Sequence, residues 1–230
     1  MKTIGLLGGM SWESTALYYT QINELTKEKL GGLHSAKIAM VSVDFQEIEI
    51  LQHKGQWHAT GEILAKASQQ IEAAGADFLL ICTNTMHKVA PQIESAIDIP
   101  LLHIADATAE RIKAEGINSI GLLGTRFTME QEFYAGRLKE KHGLKVTLPS
   151  KEDREIVHRV IYEELVLGVV REESRREYLR IMEALRAEGA EGVIEGCTEI
   201  VMLVQQEHTD IPLFDTTSIH AQAAVEMALK

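Results

Sequence analysis

The chain repeats itself. Gly5-Leu6-Leu7-Gly8 returns as Gly121-Leu122-Leu123-Gly124, and Ala73-Ala74-Gly75-Ala76-Asp77 returns as Ala187-Glu188-Gly189-Ala190-Glu191. Cys82-Thr83-Asn84-Thr85 corresponds to Gly196-Cys197-Thr198-Glu199, and Asp98-Ile99-Pro100-Leu101 returns as Asp210-Ile211-Pro212-Leu213. The offsets are 116, 114, 114 and 112 residues, and the order is the same in both halves. Unrelated α/β units share Gly-rich turns and Asp-Ile-Pro strand starts, but chance sharing does not keep four stretches in order. The pattern therefore predicts two halves built on one plan.

The elements within a half follow from its apolar runs. Residues 3–7, 37–43, 77–82 and 101–104 predict strands. Between them, helices are predicted to about residue 29 and over residues 60–74, 85–96 and 105–115, the first capped by Ser11 or Ser14 and the second stopped by Gly75. Near-continuous apolar strands alternating with helices indicate parallel sheets covered on both faces, an α/β class. The expected division is a first half-domain over residues 1–105 and a second over 106–215. A final helix over about residues 216–230 is free to pack back on the first. Open α/β sheets bind ligands at the carboxyl ends of their strands. Two facing halves would gather residues 8–11, 83–85, 124–128 and 197–199 around one cleft.

Composition narrows the partners. A net charge of −11 on 230 residues repels phosphate backbones and anionic lipid, so neither nucleic acid nor a membrane surface is expected. Two cysteines, Cys82 and Cys197, make no disulfide framework, and no Cys/His spacing suggests a metal. No run has the length of a membrane span, and the first ten residues lack the apolar core of a signal peptide. These features predict a cytoplasmic protein with reduced thiols. Gly5-Leu6-Leu7-Gly8-Gly9 lacks the GxGxxG spacing, no P-loop lysine follows it, and nothing local marks a Schiff-base lysine.

Cys197 carries the strongest chemical signal. Free cysteine is usually a core residue. Here it lies between the apolar run Gly192-Val193-Ile194 and Ile200-Val201-Met202-Leu203-Val204, flanked by Gly196, Thr198 and Glu199. A strand-to-helix turn gathers backbone N–H groups and the positive end of a helix dipole, a setting that favours the thiolate. Glu199 reads either as a charge in a first helical turn or as a participant.

Gly-Cys-Thr-Glu at residues 196–199, Thr-Asn-Thr-Met-His at 83–87 and the Gly-Leu-Leu-Gly-Gly-Met opening at 5–10 together resemble the aspartate/glutamate racemase family, over essentially the whole chain. The resemblance implies two pseudo-symmetric Rossmann-like half-domains with the active site between them. It implies racemisation at an amino-acid α-carbon with no cofactor, neither pyridoxal phosphate nor metal, and a homodimer. In the family each half supplies one cysteine, and the two act on opposite faces of the carbon. Inversion requires that geometry, and a thiol near neutrality can serve as acid or base.

One departure stands out. The family's first-half motif reads Cys-Asn-Thr, and this chain has Thr83-Asn84-Thr85 with Cys82 one residue earlier. Either Cys82 moves into the role, or Thr83 occupies the catalytic position and Cys82 is core. Successive side chains at a strand end point opposite ways, which favours the second. A threonine hydroxyl is a poor base but can relay a proton or hold a water. The family associates the second-half cysteine with the L enantiomer, so Cys197 opposite Thr83 predicts a kinetic bias towards L-amino acids.

The remaining candidates are substrate contacts. Asn84, Thr85 and Thr198 supply N–H and hydroxyl donors for a carboxylate-centred negative charge, which is compatible with helix capping. Met10 follows the first Gly-rich turn, Thr125 follows Gly124 and mirrors Met10 and Ser11 through the repeat, and the resemblance adds Gln52. His87 is expected to be solvent-facing or capping, with contact to the substrate carboxylate or the opposite thiol as the alternative. Aspartate racemases often carry a lysine where this chain has Leu167, so Arg126 or Lys88 would have to supply the cation, and a broader substrate range is expected. Two competing readings are a cofactor-free decarboxylase of the same superfamily and a non-catalytic amino-acid-binding protein.

Overall fold

The computed structural model of the protein describes residues 1–230. It divides into two compact units, Met1–Ile104 with Thr217–Lys230, and Ala105–Thr216. The chain leaves the first unit once and comes back to it for its last helix.

The first unit runs β1 (Ile4–Gly8), α1 (Trp12–Leu30), β2 (Ile38–Ser42), α2 (Phe45–His53), α3 (Trp57–Ala73) and β3 (Phe78–Ile81). A 3₁₀ turn over Thr85–Val89 and α4 (Ala90–Glu94) follow. The sheet order is β2-β1-β3, all parallel. Strand pleat sends Leu7, Leu79 and Ile81 to one face, against Ile48, Leu64 and Ile71. Ile4, Leu6, Phe78 and Leu80 go to the other, against Tyr18 and Ile22.

Three local expectations change. Residues 101–104 make only a bridge, Leu79 to Leu101, because Pro100 donates no hydrogen bond and the next helix opens at Ile104. The helix expected over 85–96 divides at the Pro91 region into the 3₁₀ turn and α4. α2 was not expected; Asp44 caps it, its carboxylate accepting the Gln46 N–H at 3.0 Å.

After α5 (Ile104–Ala114) come β4 (Ser119–Gly124), α6 (Arg126–Glu130), α7 (Glu132–His142), β5 (Lys145–Thr147), α8 (Lys151–Glu163) and α9 (Glu172–Ala187). The second unit ends with β6 (Val193–Gly196), α10 (Ile200–Leu203) and β7 (Leu213–Asp215). Its sheet order is β5-β4-β6-β7, again all parallel. The closing helix α11 (Thr216–Leu229) lays Ala221, Ala224, Val225 and Ala228 into the first unit's core beside Ile4, Leu6 and Tyr18.

The repeated residues do the same work twice. A Cβ on Gly5 would stand 2.7 Å from Ile71 Cγ2, and one on Gly121 would stand 2.9 Å from Leu185 Cδ1. The first glycine of each Gly-Leu-Leu-Gly stretch therefore lets α3 or α9 lie close on the central strand. Asp77 accepts the Thr3 N–H at 2.6 Å, and Glu191 accepts those of Asn118 and Ser119 at 3.0 and 2.9 Å. The repeated acidic residue thus caps the strand entry in each half. Ser11 and Thr125 then cap α1 and α6 through the Ser14 and Thr128 N–H groups.

Candidate active site

Each unit presents a polar turn at the carboxyl edge of its sheet. In the first unit this is Thr83-Asn84-Thr85, after β3. Cys82 is fully buried among Ile4, Leu6, Tyr18 and Phe78, and burial pushes its thiol pKa far up. Thr83, next in the chain, is half-buried. The two neighbours thus differ in burial, Cys82 sealed and Thr83 partly accessible.

Side chains hold this turn by its carbonyls. Ser14 Oγ donates to the Cys82 carbonyl at 2.9 Å. His87 Nδ1 meets the Thr83 carbonyl at 2.8 Å. Thr15 Oγ1 accepts from Gly9 N at 2.8 Å and donates to the Ser11 carbonyl at 2.9 Å, fixing the turn after β1. Met10 at that turn is buried in the core with Leu7, Ile48 and Met86, so packing is its principal work. Gln52 on α2, Asn84 and Thr85 are also buried and hydrogen-bonded or otherwise engaged.

His87 corrects the solvent-facing expectation and the substrate-contact alternative, whereas the capping expectation fits the Ile104 N–H that opens α5. It is buried rather than solvent-facing, and its two nitrogens are taken by the Thr83 carbonyl and the Ile104 N–H, the latter at 3.2 Å. Neither nitrogen is left for a substrate carboxylate or a thiol. Burial, followed by the neighbouring His103 and His220, holds its pKa well below the ordinary value.

In the second unit the turn is Cys197-Thr198-Glu199, after β6, with Thr125 beyond the neighbouring β4. Gly124 and Gly196 are register partners, so the two turns share one sheet edge. Thr125 is buried and lies 3.2 Å from Thr128 Oγ1. Thr216 Oγ1 donates to the Glu195 carbonyl at 3.0 Å and steadies the strand end.

Cys197 is half-buried, and its thiol donates to Glu199 Oε2 at 2.8 Å. The expected thiolate bias is not what this environment produces. Burial first, and then the Glu199 charge and its hydrogen bond, push the thiol pKa well above its ordinary value. The backbone N–H groups of Glu199 and Thr198 pull the other way and are outweighed. The helix behind the turn, α10, has only four residues and a weak dipole. The sequence revealed the N–H groups of the turn but not the carboxylate folded back onto the sulfur.

The proposed cations are engaged elsewhere. Lys88 Nζ lies 3.9 Å from the centroid of the Trp57 ring, a cation–π contact. Arg126 lies 3.9 Å from Glu155 and is about half exposed. Leu167 is exposed. No group of three or more His, Cys, Asp or Glu side chains is arranged to hold a metal ion, and no helix is long and apolar enough to cross a membrane.

The residues missed by sequence reasoning are mostly second supports. Ser14 was visible only as a cap candidate. The histidines at 103 and 220 carry no local signal, because their partners lie far away in the chain.

Two parallel α/β units, each with a polar turn at its sheet's carboxyl edge and one turn bearing a thiol against a carboxylate, define a two-unit α/β enzyme. The family model for Asp/Glu/Hydantoin racemases matches residues 7–224, and the chain belongs to that family; it is an isomerase. It is 21% identical over 98% of both chains to the broad specificity amino-acid racemase RacX of Bacillus subtilis. A Yersinia pestis crystal structure, provisionally classed as an Asp/Glu racemase, matches at 57% identity and a TM-score of 0.96 over the whole of both chains. An aspartate racemase homologue from Pyrococcus horikoshii matches at 34% identity and a TM-score of 0.88, also over both whole chains.

Proposed function

We propose that this protein is a cofactor-independent amino-acid racemase that turns over L-amino acids faster than D-amino acids, with Cys197 as the principal acid/base. Thr83 is the opposing group in this reading. The observation that carries it is the unequal fate of the two cysteines. Cys197 stands half-buried at a strand-end turn with a carboxylate on its sulfur, while Cys82 is sealed in a core.

To act as a base, Cys197 must first give up its proton. Glu199 Oε2 is the acceptor in hydrogen-bond contact. The thiolate then takes the α-proton, and the C–H electron pair moves into the substrate carboxylate. Donors from Asn84, Thr85, Thr125 and Thr198 stabilise the resulting charge. Thr83 relays a solvent-derived proton to the other face, since a free alkoxide is inaccessible near neutrality, and Glu199 returns the proton it took to solvent, restoring the starting state. From the D enantiomer, Thr83 would have to begin the reaction as the base, so that direction is slower.

The substrate range extends beyond aspartate and glutamate, a reading supported by Leu167, by the engaged Lys88 and Arg126, and by the broad specificity of the B. subtilis relative. The resemblance also carries a homodimer, which sedimentation checks, and the cytoplasmic setting rests on the sequence reading alone. The deciding experiment measures α-deuterium uptake and optical inversion in deuterated water, across a panel of L- and D-amino acids, for the parent and for Cys197→Ser. Equal initial rates from both enantiomers, or undiminished exchange in Cys197→Ser, would overturn the reading.

A further inference from the structure

We propose that His87 is a positioning residue that fixes the Thr83 turn, acting as a neutral imidazole whose single proton sits on Nδ1. This rests on the reading that Thr83 faces the substrate.

The tautomer follows from the partners. A backbone N–H can only donate, so the Ile104 amide at 3.2 Å requires a lone pair on His87 Nε2. The one proton of a neutral ring must then be on Nδ1, where it is donated to the Thr83 carbonyl at 2.8 Å. A second proton would confront the Ile104 N–H, so the cation does not fit. The titratable groups around the ring are His103, 4.4 Å away between centroids, and His220, at 6.0 Å. Burial keeps His220 neutral, bringing its pKa down to about 4 against the opposing pull of the Leu102 carbonyl. Its Nε2 donates to the Leu102 carbonyl at 2.8 Å and its Nδ1 accepts from Tyr18 Oη at 2.8 Å. Neither neighbour supplies an anion to pay for a buried charge.

The two histidines grip one short segment from both ends. His220 holds the carbonyl of Leu102 and His87 the amide of Ile104. That segment is where the chain leaves the first unit, and His220 stands just after the chain re-enters at Thr217. His87 therefore ties the Thr83 turn to a point fixed by β3 pairing on one side and by α11 on the other. With Ser14 on the preceding carbonyl, both peptide planes flanking Thr83 have a side-chain anchor. A hydroxyl that must deliver a proton to one face of a carbon depends on such placement more than a larger, softer thiol does.

Two variants separate the two bonds. Asn at position 87 can place an amide N–H near the Nδ1 position and keep the Thr83 bond. Gln reaches towards the Nε2 position and keeps the Ile104 bond. The readout is a partition measured in deuterated water from an L-amino acid: deuterium in recovered L substrate, returned by Cys197, against formation of the D product, which needs the Thr83 face. His87→Gln is expected to raise the ratio of exchange to inversion at least about tenfold, and His87→Asn much less. An equal fall of both processes in His87→Gln marks a merely structural role and overturns the proposal. Thr83→Ala is the control: if it leaves the ratio unchanged, the Thr83 reading itself fails and takes this proposal with it. Independently of any variant, nitrogen-15 NMR of the parent should show His87 as the Nδ1–H tautomer at neutral pH. An Nε2–H or doubly protonated ring would overturn the assignment.

Discussion

Glu195 on β6 and Asp215 on β7 are register partners, so two carboxyl groups lie side by side on adjacent strands, with Glu195 only 2% exposed. Burial, and then the Asp215 charge, push the Glu195 carboxyl up to about 8. The unfolded chain ionises this group near 4.5, its ordinary value. Between those two values the unfolded state releases a proton that the folded state keeps, so stability falls as pH rises through this window and levels off above it. Glu195→Gln should therefore melt higher than the parent at pH values near 8 and close to it near 4.5. Thermal unfolding across that range checks this, and a gap that does not grow with pH would count against a neutral Glu195.

Glu199 is predicted to have opposing effects on Cys197. Its charge and hydrogen bond raise the thiol pKa, yet it is the group placed to receive the thiol proton. Glu199→Gln should lower the Cys197 pKa, read from ultraviolet thiolate absorbance against pH, while reducing kcat by about tenfold or more. A lowered pKa with faster turnover would show that Glu199 only restrains the thiol.

Thr83→Cys should restore a second thiol acid/base and raise the initial rate from D-amino acids relative to that from L. Cys82→Ala should leave that ratio alone and cost about 1–2 kcal/mol of stability through the core gap it opens. Enantiomer-specific rates and denaturant unfolding test the pair. A D-rate abolished by Cys82→Ala would move the catalytic assignment to Cys82.

Asp106 is the focus of a separate cluster. Its carboxylate accepts from Arg137 at 2.6 and 2.7 Å, from Lys141 at 2.6 Å and from His142 at 2.8 Å. Burial works against its ionisation, but these hydrogen bonds outweigh burial and hold the carboxyl below the usual range. The stabilisation is present above the ordinary carboxylate pKa and is lost as pH falls below it. Asp106→Asn should cost about 2 kcal/mol near neutrality, discounted for partial exposure, and much less in acid; urea unfolding at two pH values decides it.

The repeat makes the α/β class and the strand-end placement of residues 83–85 and 197–199 legible in the sequence, because both follow from apolar runs and local turn chemistry. What escaped depends on contacts between residues distant in the chain or on local return of a side chain. The shortness of α10 and the fold-back of Glu199 reversed the expected direction of the Cys197 pKa. His87 looked exposed because its partners, Ile104 and the rings at 103 and 220, are not visible as periodicity. Pro100, by contrast, was visible, and its curtailing effect on the strand at residues 101–104 could have been read.

The placement of α11 has a consequence for biosynthesis. Ala221, Ala224, Val225 and Ala228 complete a core whose other side is built from Ile4, Leu6, Tyr18 and Phe78. The first unit to begin synthesis is thus the last to be closed, because the helix that seals its core is made after residues 105–216. Residues 105–216 are all joined before α11 exists, while the earlier unit still lacks a wall. Cutting the gene between the units would give one self-sufficient piece and one open one, so the two halves of the repeat are equivalent in architecture but not in independence.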